Sequence, residues 1–474
     1  MVAQWRRCRP SRFASTLSGN LVTSPAFLPW RSQPWLRSFA TTAGSKRWNF
    51  FWRVTVFSTM RTRITLISSI LLALLFAQTV LASDLVLVDA KVYLSPTDPP
   101  IENATIVIHN GRITAVGSSA TTKPPHFARA VTVIDCKGMV VTAGFWNSHV
   151  HFTEPKWENA ASLPAAQLAE QLQGMLTRYG FTSVVDTGSL LPNTLAIRKR
   201  IESGELAGPR IFTAGSPLYP KDGIPYYVIE SVPPDVLKLM YQPATPEEAI
   251  RAVDDLVADG ADIIKLFVVS WIRRDGKITP LHMQLPIVQA AADEAHRKGK
   301  LVFAHPSTIE GVELVLQGHV DVLAHTTEDP DQWNAALVKR LKSANVSLIP
   351  TLTLFSGENG PDAAHEGILR EVKSYTDAGG KILFGTDVGY LTDYNELTRE
   401  FGLLSRAGLS SQQILASLTT NPAQRFGYST RSGRIAKGMD ADLVVLSADP
   451  TRDVTAFFKV AFTIRRGKIL FGKP

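Results

Sequence analysis

The rhythm of apolar and polar positions changes along the chain. Leu85-Val86-Leu87-Val88, Thr105-Ile106-Val107-Ile108 and Val131-Thr132-Val133-Ile134 are short apolar or alternating runs separated by turn-forming residues, and this spacing predicts strands. Asn110-Gly111 between two such runs predicts a tight hairpin. The same character returns in Asp442-Leu443-Val444-Val445-Leu446 and in the segment from Phe462 to Leu470. The most economical arrangement is one small β-sandwich built from both ends of the chain, 83–143 and 429–474, with everything between inserted into it.

The insert, 144–428, alternates strand-like and helix-like pieces, the pattern of a parallel sheet with crossover helices. Strands are predicted at 140–148, 182–186, 210–214, 262–268, 301–305, 321–325, 346–351 and 381–387. Helical patterns lie between most of them. At 246–258, Thr245 can cap, Pro246 takes the first helical position and Glu248 completes a capping box; 284–298 is a second example. Eight βα units in about 280 residues predict an α/β fold, a (β/α)8 TIM barrel, whose chemistry comes from the C-terminal ends of its strands.

Those ends carry unusual residues. The first predicted strand closes on His149-Val150-His151, and alternate residues of a strand share a face, so both imidazoles aim at one point. Alone, His-x-His is read equally well as two ordinary strand histidines. Downstream, Lys265 lies inside the fourth strand, and His305, His325 and Asp387 end the fifth, sixth and eighth. Burying such groups costs several kcal/mol unless they are paired or metal-bound. Their convergence on one barrel mouth therefore predicts a site.

Composition changes the picture mainly at the N-terminus. Residues 1–82 contain no Asp or Glu but eleven Lys or Arg, so against +8 for the whole chain the rest carries −3. The basic balance belongs to a leader and argues for no nucleic-acid partner. Met60-Arg61-Thr62-Arg63, the apolar run 64–82 and Val80-Leu81-Ala82 have the parts of a secretory signal cleaved after Ala82, giving a secreted or periplasmic protein with no membrane span after cleavage. Residues 1–59, rich in Arg, Ser and Trp, then precede the true start at Met60; the alternative is a mitochondrial leader followed by a membrane anchor. Beyond Cys8 in the leader the only cysteine is Cys136, so the folded part has no internal disulfide.

The chain resembles the amidohydrolase superfamily, in its imidazolonepropionase-like and prolidase-like branch. The likeness rests on Gly144-Phe145-Trp146-Asn147-Ser148-His149-Val150-His151, Gly260-Ala261-Asp262-Ile263-Ile264-Lys265, Ala304-His305, Leu323-Ala324-His325 and Phe384-Gly385-Thr386-Asp387. It continues in Ser432-Gly433-Arg434-Ile435-Ala436-Lys437-Gly438-Met439-Asp440-Ala441-Asp442-Leu443, similar to the segment by which these enzymes return to the β-sandwich.

This resemblance implies two divalent metal ions, the more buried held by His149, His151 and Asp387, the second by His305 and His325, with Lys265 carboxylated between them. An anionic carbamate is acceptable between two cations where an ammonium is not. The bland alternative pairs Lys265 with Asp262, but an offset of three puts Asp262 on the opposite face of the strand. Zinc suits these ligands, and manganese, cobalt or iron would accept the same set. A hydroxide shared by the ions would attack a carbonyl, and Asp387 would carry the proton to the leaving nitrogen. The expected function is hydrolysis of C–N bonds in a small-molecule substrate, as a dipeptidase or N-acyl amino acid hydrolase; a homo-oligomer is compatible with all of this.

Substrate contacts are expected from the βα loops. The loop after the third strand carries Tyr219, Tyr226 and Tyr227, and that after the fourth Trp271, Arg273 and Arg274. Tyr227 could donate to an oxyanion and Arg273 could pair with a substrate carboxylate, although both are equally read as surface residues. Glu154, Lys156 and Trp157 form another candidate loop. Deaminases of the superfamily place a Glu three residues after the fifth-strand histidine, where this chain has Thr308 in His305-Pro306-Ser307-Thr308. Lactone or phosphotriester hydrolysis at the same site and a non-catalytic scaffold are the other readings. The remaining histidines, His109, His126, His282, His296, His319 and His365, are expected to be solvated or packed.

Overall fold

A computed structural model describes residues 84–123, 131–328, 330–356 and 363–473. The leader, with its signal at 60–82, and His126 lie outside them. Among the described residues no helix is long and apolar enough to cross a membrane.

Both ends of the described chain meet in one eight-stranded sheet. It contains β1 (Asp84–Val92), β2 (Ile101–His109), β3 (Arg112–Ser118), β4 (Val131–Asp135), β5 (Val140–Ala143), β16 (Leu443–Leu446), β17 (Val460–Arg465) and β18 (Lys468–Phe471). The order is β18-β17-β16-β5-β1-β2-β3, with β4 also paired to β1, so the strands expected to form a sandwich are hydrogen bonded as one sheet. Asn110 and Gly111, at φ 50° and 76°, make the tight turn between β2 and β3. One face buries Leu85, Leu87, Ile106, Ile108, Val141, Leu443, Val445 and Ile464 in a core of its own.

The insert holds eight parallel strands in chain order: β6 (Phe145–Val150), β7 (Phe181–Asp186), β8 (Arg210–Thr213), β9 (Ile263–Phe267), β12 (Leu301–His305), β13 (Val322–Ala324), β14 (Ser347–Ile349) and β15 (Lys381–Ile382). Ladder bonding is continuous within β6 to β8 and from β9 to β15. At the two seams it gives way to isolated bridges, Val150 to Val388 and Leu218 to Leu266. The helix Pro246–Ala258 is capped by Thr245, whose hydroxyl accepts from Glu248 N, while the Glu248 carboxylate reaches back one residue further than a capping box requires, to Ala244 N.

Two features depart from the expected elements. The run 140–148 is not one strand: β5 joins the terminal sheet and β6 starts the insert, with Gly144 at the crossing. A Cβ on Gly144 would lie 2.3 Å from Thr182 Oγ1, so only glycine lets the chain pass that close. The loop after β9 is a hairpin of β10 (Val269–Arg274) and β11 (Lys277–His282).

Candidate metal centre

Strand parity explains which side chains reach the mouth. Ile263 of β9 and Phe303 of β12 lie in a small buried cluster with Val185, Ala214, Val322, Ala324, Ile349 and Leu383. Two residues further along the same faces come Lys265 and His305, one layer nearer the strand ends. Parity would turn His325 away, because Ala324 before it already faces the cluster. Its backbone, at φ 101°, reverses that. Asp387, at φ 59°, is likewise in a conformation that non-glycine residues rarely adopt, and such strain gathers at functional sites.

The groups form a continuous set. Asp387 Oδ1 lies 2.9 Å from His151 Nε2 and 3.2 Å from His149 Nε2. The candidate ligand atoms of these three residues all lie within 4.8 Å of one another. From His149 the imidazoles continue, with ring centroids 4.6 Å apart to His325 and 4.8 Å from there to His305. Phe267 stacks on His305 at 4.6 Å. Lys265 is buried among them, its charge felt at His149, His305 and His325. Among the described residues no carboxylate approaches it within 4 Å; Asp262 is engaged instead by Arg198 Nη1 at 2.5 Å and Thr213 N at 3.0 Å.

Burial and charge set the protonation states. Burial pushes His149 down to about 4 against the pull of Asp387, and holds His305 and His325 well below the usual imidazole range. For His151, burial is outweighed by the Asp387 carboxylate, so it stays above its usual value. Asp387 is held well below the carboxylate range because the two histidines outweigh its own burial. Burial brings Lys265 down to about 7, again opposed by Asp387.

The other nitrogens are fixed from behind. His151 Nδ1 lies 2.7 Å from the Gly188 carbonyl, which can only accept, so Nδ1 carries a hydrogen and Nε2 is the nitrogen left to face Asp387. His325 Nδ1 lies 2.6 Å from Thr351 Oγ1. Three buried carboxylates outside the predicted ligand set brace the surrounding loops. Asp186 accepts from Ser189 Oγ, Gly188 N, Thr194 Oγ1 and Thr213 Oγ1; Glu371 accepts from Thr327; Glu400 accepts from Leu352 and Thr353.

The candidate substrate residues divide. Tyr227 is half-buried beside the exposed Tyr390, at 6.0 Å between ring centroids, and its ionisation is suppressed by desolvation with further contributions from Tyr390, Glu328, Tyr219 and Asp387. Arg273 is paired with Glu230 and lies 4.5 Å over the Tyr226 ring, at the rim. Trp271 Nε1 donates to Glu328 Oε1 at 2.8 Å. Lys156 pairs with Glu154 at 2.9 Å and lies over Tyr394. His109 and His296 bond to Asp84 and Asp321, His319 lies near Asp293, His282 ends β11, and His365 is buried on the helix Ala363–Asp377.

The Amidohydrolase family model matches residues 140–470. Ochratoxinase of Aspergillus niger is 24% identical over 419 residues, covering 79% of this chain and 84% of the relative. Imidazolonepropionase of Thermoplasma acidophilum is 23% identical over 417 residues, covering 81% and 91%. A Bifidobacterium longum protein proposed as a prolidase superposes with a TM-score of 0.68 at 25% identity, covering 82% of this chain and 95% of that one. With a family match over most of its length and relatives that include an imidazolonepropionase, this chain belongs to the Amidohydrolase family.

Proposed function

We propose that the protein is a metal-dependent hydrolase of amide C–N bonds, acting on a dipeptide or an N-acyl amino acid. His149, His151 and Asp387 would hold one divalent cation and His305 and His325 a second, with a carboxylated Lys265 between them. The observation that carries this reading is the contact of His151 with Asp387. With Nδ1 committed to the Gly188 carbonyl, Nε2 faces a carboxylate oxygen at 2.9 Å, a contact that a proton satisfies in the bare protein and that a shared cation would satisfy in its place. The rest of the set fits. Among the described residues His149 Nδ1 and His305 Nδ1 are buried without a hydrogen-bond partner. A carbamate would give Lys265 the charge that its neighbours lack.

Divalent cations bound there would lower the pKa of water towards about 7 and polarise the scissile carbonyl, and imidazole with carboxylate suits zinc. The chain's own groups do the rest. Asp387, kept ionised by His149 and His151, takes a proton on its carboxylate and delivers it to the departing nitrogen. Tyr227, kept protonated by burial, donates to the carbonyl oxygen as charge develops there. Tyr226 and Tyr390, each in ring contact with Tyr227, would line the same side of the substrate. The secretory reading of 60–82 belongs to this proposal, and N-terminal sequencing of the mature protein tests it.

Elemental analysis of purified protein together with a screen against dipeptides and N-acyl amino acids tests the function. About two divalent ions per chain and chelator-sensitive amide hydrolysis are expected. A metal-free, inactive protein would make the chain a scaffold instead.

A further inference from the structure

We propose that Glu400, which touches none of the candidate ligands, is a positioning residue for His325, acting through Thr351. The proposal rests on the reading of His325 as a ligand of the second cation. Thr351 follows β14 with φ 44° and ψ 51°, a left-handed conformation that a β-branched residue resists. That turn sends its Oγ1 in two directions, to the Pro350 carbonyl at 2.8 Å and to His325 Nδ1 at 2.6 Å. A hydroxyl has one proton to give, and the carbonyl can only accept. Thr351 therefore accepts from His325 Nδ1–H, and the lone pair of His325 is left on Nε2, on the opposite side of the ring.

What holds Thr351 in this conformation is the turn after it. The N–H groups of Leu352 and Thr353 both point at Glu400, at 2.8 Å to Oε1 and 2.8 Å to Oε2, and Thr353 Oγ1 adds a third bond at 2.8 Å. Glu400 lies in the first turn of the helix Arg399–Arg406, where a carboxylate is favoured by the helix dipole, and it is fully buried. One side chain thus fixes the start of the 3-10 helix Leu352–Phe355 and, with it, the backbone angles that aim the threonine. Nothing else in this chain of contacts requires an acid there.

Metal-depleted protein titrated with Co2+, followed by ligand-field absorption, separates this role from simple stabilisation. Wild type is expected to take up two equivalents. Glu400→Gln and Thr351→Val should bind the first as wild type does and the second about 10 to 100 times more weakly, as for other groups that orient a metal-bound histidine. Thr351→Ser keeps the hydroxyl and should behave as wild type. The double variant should be no worse than Thr351→Val alone, because the two residues act in series. Weakening of both equivalents together in Glu400→Gln, or an unchanged second equivalent in Thr351→Val, would overturn the positioning role while leaving the two-cation reading standing. Fewer than two equivalents in wild type would overturn both.

Discussion

Asn147 grips Thr386 from both sides, its amide donating to Thr386 Oγ1 at 2.7 Å and its carbonyl accepting from Thr386 N at 3.2 Å. The pair spans a seam where ladder bonding stops, and Asp387 is the next residue. Asn147→Ala should leave Thr386 with only its long bonds, N–H to the His149 carbonyl and Oγ1 from Val388 N, both at 3.4 Å, at a cost of about 1 to 3 kcal/mol. Because the seam sets the place of Asp387, hydrolysis should fall by more than the lost stability explains. Chemical denaturation beside kcat measurement checks this; an Asn147→Ala enzyme with normal turnover would free Asp387 from the seam.

Lys265 tests the bridge. Lys265→Ala removes the amine that a carbamate needs, and it opens a cavity between the two histidine groups. Activity should fall by at least 10²-fold, with metal content dropping below two ions per chain. A small carboxylic acid such as propionate should then restore part of both, because it brings to the cavity the anion that carboxylated lysine supplies. Absence of rescue together with full metal content would remove Lys265 from the metal centre.

How much of this was legible in the sequence depends on whether a local pattern recorded it. His149 and His151 were readable because a strand has period two, and Lys265 and His305 because the same parity carries interior residues up to the mouth. The break at Gly144 was not, since the apolar run 140–146 continues across it and only the close approach of Thr182 separates the two sheets. The hairpin β10 to β11 does have a signal in the sequence. Asp275-Gly276 stands between two alternating runs and supplies the positive φ of 48° and 73° that a tight turn needs. Asp186, which ends the predicted strand 182–186, carried the same strand-end signal as Asp387, whereas Glu371 and Glu400 left none: in a helical pattern a buried acid looks like an exposed one until its donors, 44 to 48 residues away, are folded against it.

Tyr227 and Arg273, paired as expectations, should separate on mutation. Tyr227 is half-buried and its ionisation feels Asp387, so Tyr227→Phe should lower kcat about 10²-fold with KM little changed, the behaviour of a group that acts on the transition state. Arg273 is already satisfied by Glu230 and by the Tyr226 face. Arg273→Ala should change kcat/KM by less than about 10-fold, since an exposed pair contributes little. A large rise in KM for Arg273→Ala confined to substrates bearing a free carboxylate would mean that this arginine leaves Glu230 to bind them.

Cys136 offers a check on the terminal sheet. It is buried in that sheet's own core, and burial pushes its thiol up to about 12. The direction matters: a raised thiol pKa means almost no thiolate at pH 8, and the thiolate is the reactive form. Iodoacetamide at pH 8 should leave Cys136 unmodified in folded protein and label it at once in urea, read by peptide mass spectrometry. Rapid labelling without denaturant would show that this core opens readily.

Gly389 separates backbone strain from steric overlap next to the candidate ligands. Its φ of +101° is already unfavourable for any other residue, and a Cβ there would lie 2.0 Å from the carbonyl oxygen of His151. Gly276, in the hairpin turn, shares the positive angle, at +73°, but an added Cβ meets nothing within 4 Å. Gly276→Ala should therefore cost only the left-handed strain, about 1 to 2 kcal/mol, and leave metal content and kcat alone. Gly389→Ala must move His151 or the turn that follows Asp387, and since these two residues meet at 2.9 Å, it should lose metal as well as stability. Metal content against unfolding free energy for the two variants decides the point, and equal metal content in both would detach the Gly389 turn from the centre.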